Sequence, residues 1–124
     1  MNAAEMTVAM LAARTDIDEA FEAYREAIQE DADADRAEKL AKATAYTTIR
    51  ADVGKATVQE MEARIDMVTA DIQHRARLAE SRKRAAYLAV EYRRDVLSSL
   101  QSLASLTKAE AQLANFGPRE VEPA

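Results

Sequence analysis

The stretch TVQEMEARIDMVTADIQHRARLAESRKRAAYLAVEYRRDVLSSLQSLASLTKAEAQLA, from Thr57 to Ala114, decides the fold class of this chain. It contains neither Gly nor Pro, so nothing in it obliges a helix to stop. An unbroken helix there would be about 85 Å long. A rod of that kind does not wrap a catalytic pocket readily. It is suited to binding another chain, or copies of itself, along its side.

The stretch reads as heptads. With a at Val58 and d at Met61, the a positions are Val58, Ile65, Ile72, Ala79, Ala86, Arg93 and Leu100. The d positions are Met61, Val68, Arg75, Arg82, Ala89, Val96 and Leu103. Eleven of these fourteen are apolar and three are arginine, a period that favours coiled-coil packing. The seam has three zones. Val58 to Ile72 is bulky and should pack on the first arm of a hairpin. Arg75 to Arg93 is small and basic. Val96 to Leu113 is leucine-rich and extends beyond the reach expected of a shorter first arm. Val96, Leu97, Leu100, Leu103, Leu106 and Leu113 are therefore expected to form an oligomerisation face, because an exposed leucine stripe calls for a partner. The competing reading has the segment around Met6, Val8, Met10 and Leu11 fold over it.

Upstream, Gly54 reads as a helix C-cap. Thr57-Val58-Gln59-Glu60 reads as a capping box opening the next helix. The first arm is expected as a helix over about 17–52, with Thr15 or Asp16 as N-cap and Ile17, Phe21, Tyr24 and Ile28 as its apolar stripe. The stripe fails at Asp31-Ala32-Asp33-Ala34-Asp35, so the helix either runs through or kinks there. A further short helix is expected over 3–14. A short connection between two long helices implies an antiparallel helical hairpin. Asn115-Phe116-Gly117-Pro118 reads as the stop of a helix over 57–114, leaving 1–117 as one helical domain and 118–124 as a disordered tail. The expected fold is all-α: a long antiparallel helical hairpin or coiled coil with an extended C-terminal helix.

Hydrophobic residues make up 48% of the 124 residues, but aromatics only 5%, so bulky core formers are scarce and assembly is an expected source of further burial. Cysteine is absent, which excludes thiol chemistry, disulfides and Cys-ligated zinc, and fits a reducing, cytoplasmic setting. No signal peptide, membrane span or membrane partner is expected. The net charge of −5 is unevenly spread. Residues 1–63 hold 14 acids and 7 bases, whereas 75–94 hold seven bases, Arg75, Arg77, Arg82, Lys83, Arg84, Arg93 and Arg94, against Glu80 and Glu91. Either the acidic arm meets the basic stretch, in this chain or a neighbour, or the bases form a phosphate-binding surface. Arginine suits bidentate contact with phosphate or carboxylate, and Tyr87 and Tyr92 could stack bases beside it.

Other motifs fail on chemistry. Asp31-x-Asp33-x-Asp35 resembles a calcium loop, but Arg36 and Lys42 occupy the positions that need Gly and Glu. His74 has only Asp71 nearby on its face, too little for a metal ligand set or a general base. Gly54-Lys55-Ala56-Thr57 lacks the upstream Gly and strand of a phosphate loop. No catalytic residue, metal, cofactor or small-molecule substrate is assigned.

From Tyr46 to Leu103 the chain resembles short helical phage proteins encoded among recombination and replication genes. The matching elements are Tyr46, Lys55-Ala56-Thr57-Val58-Gln59-Glu60-Met61-Glu62-Ala63, Ala70-Asp71, Leu78-Ala79, Leu97 and Leu100-Gln101-Ser102-Leu103. The general plan also resembles the UvsY-type recombination mediators. That resemblance implies a small helical protein in the host cytoplasm that oligomerises through its C-terminal helix. It further implies binding to single-stranded DNA and a recombinase or single-strand-binding protein. Because the chain is acidic overall, residues 75–94 with Tyr87 would carry the DNA contact. Two alternatives stand beside this: a small acidic inhibitor of a host nuclease or CRISPR effector, using Asp16, Asp18, Glu19, Glu22, Glu26, Glu30, Asp31, Asp33 and Asp35 as a nucleic-acid mimic, and a structural coiled-coil adaptor.

Overall fold

The computed structural model describes the backbone of residues 1–121 and the side chains of residues 1–115. The chain is all-α. Helix α1 spans Ala3–Val53, α2 Val58–Val68 and α3 Ala70–Val121, with no strand among the described residues.

Helix α1 is longer than its sequence suggested. The Asn2 Oδ1 accepts the Glu5 N–H at 2.8 Å, and the Glu5 carboxylate accepts the Asn2 N–H at 3.4 Å. This reciprocal cap starts the helix at once. The separate segments expected over 3–14 and 17–52 are therefore one helix, and neither Thr15 nor Asp16 is an N-cap. Thr15 instead donates its hydroxyl to the Leu11 carbonyl at 3.2 Å, the usual arrangement for a hydroxyl inside a helix. The helix also runs through 31–35 without a break. Local pairs one turn apart hold this acidic run, with Gln29 donating to Asp33 at 2.9 Å and Lys39 meeting Asp35 at 2.9 Å.

The α1–α2 turn follows the local chemistry expected of it. Gly54 has φ +71° and donates its N–H to the Arg50 carbonyl at 3.1 Å, a left-handed cap that glycine adopts without penalty. Thr57 caps α2 and forms the full box with Glu60.

The helix expected to run unbroken over 57–114 is interrupted at Thr69. This residue has φ −103° and ψ 11°. Its hydroxyl donates to the Ile65 carbonyl at 2.7 Å and accepts from Gln73 Nε2 at 3.0 Å. A buried hydroxyl bonded back to the preceding turn competes for that carbonyl and bends a helix without any Gly or Pro. At the other end, the stop expected at 115–118 does not end the helix, whose backbone continues to Val121. Proline removes one backbone donor but has a φ compatible with a helix. The expected tail overlaps α3 over 118–121, and its last residues, 122–124, lie outside the described residues.

Packing divides the chain into two units: Met1–Phe21 with the chain from Ala89 onward, and Glu22–Leu88. In the first, Met6, Ala13 and Val90 are buried. In the second, Ala27, Ala45, Met61, Ala76 and Ala79 are buried, together with Glu38 and Thr69. Alanine dominates the second list, so the 22–88 unit buries little bulk per residue.

The buried faces correct the heptad frame. In the 22–88 unit the shielded positions of α2 and α3 are Met61, Ile65, Thr69, Ile72, Gln73, Ala76, Ala79, Glu80, Lys83 and Ala86. The a line holds at Ile65, Ile72, Ala79 and Ala86. From Thr69 onward the second line lies one residue later than expected, on Ala76 and Lys83. Arg75 and Arg82 are therefore exposed rather than set into the seam. The cause is the cost of burying guanidinium groups: a small rotation at Thr69 puts alanine inside and arginine outside. The same displacement holds in the other unit, where Val90 is buried while Ala89 and Leu103 are exposed.

Candidate interaction surfaces

The basic stretch meets the acidic arm of its own chain. In the 22–88 unit, Lys83 Nζ lies 2.7 Å from Asp31 Oδ2. Arg77 Nη2 donates to both oxygens of Glu38, at 3.1 and 2.8 Å, and Lys42 adds a contact at 3.1 Å. Glu38 is buried, and these donors compensate its desolvation. The Lys83 ammonium is held above the ordinary lysine value of 10.5, first by its hydrogen bond to Asp31 and then by that carboxylate's charge. Of the acidic run that interrupts the apolar stripe of α1, Asp31 thus lies on the contact face, whereas Asp33 and Asp35 are exposed. In the unit containing both termini, Arg93 lies 3.6 Å from Asp16, and the Arg94 guanidinium sits 4.9 Å from the Phe21 ring centre.

Of the residues nominated for nucleic acid, Arg77, Lys83 and Arg93 are thereby engaged by carboxylates of α1. Arg84 meets Glu80 at 3.4 Å. Tyr87 packs on Tyr24 with ring centres 5.6 Å apart at 55°, an edge-tilted pair of the favoured kind. Arg75 and Arg82 are exposed and have no ion-pair or hydrogen-bond partner among the described residues. On the acidic side, Asp16, Glu22, Asp31, Asp33 and Asp35 likewise have partners within the chain. That leaves fewer free carboxylates for a mimic of nucleic-acid charge.

The leucine zone divides into two parts. The first residues of α1 do lie along the end of α3, and α1 is not the shorter arm assumed from sequence. Ala3, Met6, Thr7 and Met10 face Ala104, Thr107, Lys108 and Ala111 across a recess of about 360 Å³. Val96, Leu97 and Leu100 are half-buried. Leu103, Leu106 and Leu113 remain 43%, 56% and 72% exposed. Covering by the N-terminal segment is therefore real but partial.

Sequence reasoning passed over a second surface. Between α1 and the α2–α3 junction of the 22–88 unit lies an open apolar groove of about 640 Å³. Leu40, Ile49, Val68 and Ile72 line it, with Asp71 and Arg75 also at its wall. The heptad frame sets Val68 and Ile72 inside a coil; Ile72 is half-buried, but Val68, beside the interruption at Thr69, is 69% exposed. Among the described residues, no group of His, Cys, Asp and Glu could hold a metal ion, and no helix is long and apolar enough to cross a membrane.

Comparison of the chain with protein-family models, with curated proteins and with solved structures returns no match.

Proposed function

We propose that this chain is a non-enzymatic helical interaction protein whose long helices pair antiparallel as a hairpin and which assembles with copies of itself through the outer leucines of α3. The hairpin is supported within the 22–88 unit by partners whose numbers run in opposite senses: Tyr24 with Tyr87, Asp31 with Lys83, Glu38 with Arg77. The observation that carries the assembly is the exposure of Leu103, Leu106 and Leu113, large apolar side chains spaced along α3 after the N-terminal segment has covered what it can. Light scattering should give a mass above that of one 13.7 kDa chain. Replacing all three leucines with serine should lower it. A single-chain mass for the unaltered protein at all concentrations, or no change in the variant, refutes the proposal.

A second reading is an accessory role in phage DNA recombination, with single-stranded DNA held at the basic stretch. It is supported by exposed Arg75 and Arg82, which lack acidic partners among the described residues. Fluorescence anisotropy with a labelled oligonucleotide should show binding that weakens as salt rises and falls further in an Arg75→Ala/Arg82→Ala variant. No binding at low salt removes this reading.

A further inference from the structure

We propose that the apolar groove of the 22–88 unit is a docking face for a second copy of the same chain, joined by reciprocal Asp71–Arg75 pairs. The groove is a surface separate from the outer leucines, so the two stand or fall independently.

Leu40 and Val68 are 68% and 69% exposed at the groove, large apolar groups left in water on either side of a trough floored mainly by alanine and threonine. Small side chains on a floor let another helix approach closely, and an apolar trough of this size is filled by the side chains of a helix. The charges at the wall identify which helix. Asp71 and Arg75 lie one turn apart on α3, both exposed, and neither has an ion-pair partner among the described residues.

An acid and a base at i and i+4 form a self-complementary mark. A two-fold axis across α3 near residue 73 brings Asp71 of each copy to Arg75 of the other and sets Val68 and Leu40 of both copies in one apolar layer. A closed isologous contact requires this match, in which i meets j and j meets i. A partner of one charge would satisfy only half of it, leaving the other half like against like.

The test uses the full-length protein carrying Leu103→Ser, Leu106→Ser and Leu113→Ser, so that the outer leucines contribute nothing. Sedimentation equilibrium should still show dimers. Adding Arg75→Asp places acid against acid twice, and adding Asp71→Arg places base against base twice. Each should weaken dimerisation roughly a hundredfold. Adding both restores opposite charges and should recover the dimer. Circular dichroism checks that all variants stay helical, as expected for changes at exposed positions. A monomeric leucine variant, a dimer indifferent to either reversal, or a double reversal that fails to recover each overturn the proposal. A mass that the three leucine substitutions leave unchanged, with the charge cycle intact, refutes only the reading of the outer leucines.

Discussion

Val90→Ala is the sharpest test of which face of α3 lies inside. Val90 is 2% exposed, the most completely buried large side chain among the described residues. The change removes two methylene equivalents, which lose about 1.6 kcal/mol of transfer free energy. If the void does not collapse, the cavity adds roughly another 1 kcal/mol. The expected loss is about 2–3 kcal/mol, a large share of the 5–15 kcal/mol typical of a domain. For a chain of this length it corresponds to a fall in Tm of roughly 10 °C. The comparison is Leu88→Ala, two residues away at 57% exposure, which should cost less than about 0.5 kcal/mol. Urea unfolding followed by circular dichroism, with both variants at one protein concentration, reads the difference. Protein concentration must match because association adds to apparent stability. If the Leu88 variant loses as much as the Val90 variant, or Val90→Ala costs under about 0.5 kcal/mol, the assignment of the buried face is wrong.

Three further outcomes are expected. Gly54→Ala should cost about 1–2 kcal/mol in urea unfolding through backbone strain alone, since φ is +71° and nothing lies within 4 Å of the added methyl. Thr57→Ala removes the cap on the Glu60 N–H and should cost about 1 kcal/mol by the same assay, with Thr57→Ser nearly neutral. Because the folded chain holds the Lys83 proton more tightly than the unfolded chain does, the Asp31–Lys83 contribution is complete below pH 10.5. It disappears as pH rises through the higher folded value. Urea midpoints measured from about pH 9 to about pH 12 should therefore fall less steeply in Asp31→Asn than in the unaltered chain.

Helix content, the Gly54 turn and the Thr57 cap follow from local chemistry, which acts over one turn and needs no partner. The start of α1 at residue 3 was legible too, with its cap in Asn2-x-x-Glu5, whereas the second start that Thr15-Asp16 suggests lies inside the helix. Opposite charge on the first arm and on 75–94 was also plain from composition. Which acid meets which base was not. Asp31 and Glu38 find Lys83 and Arg77 because the packed faces bring together residues 52 and 39 positions apart.

The residue order alone determined that this chain is helical, where its main turn lies and that its charges are divided. The fold decided which side of α3 is inside. A heptad pattern accepts several neighbouring rotations about the helix axis, and these differ little in local energy. They differ strongly in whether Arg75 and Arg82 are driven out of water. Only the approach of a second helix imposes that cost, and the hydroxyl of Thr69 allows the rotation that avoids it.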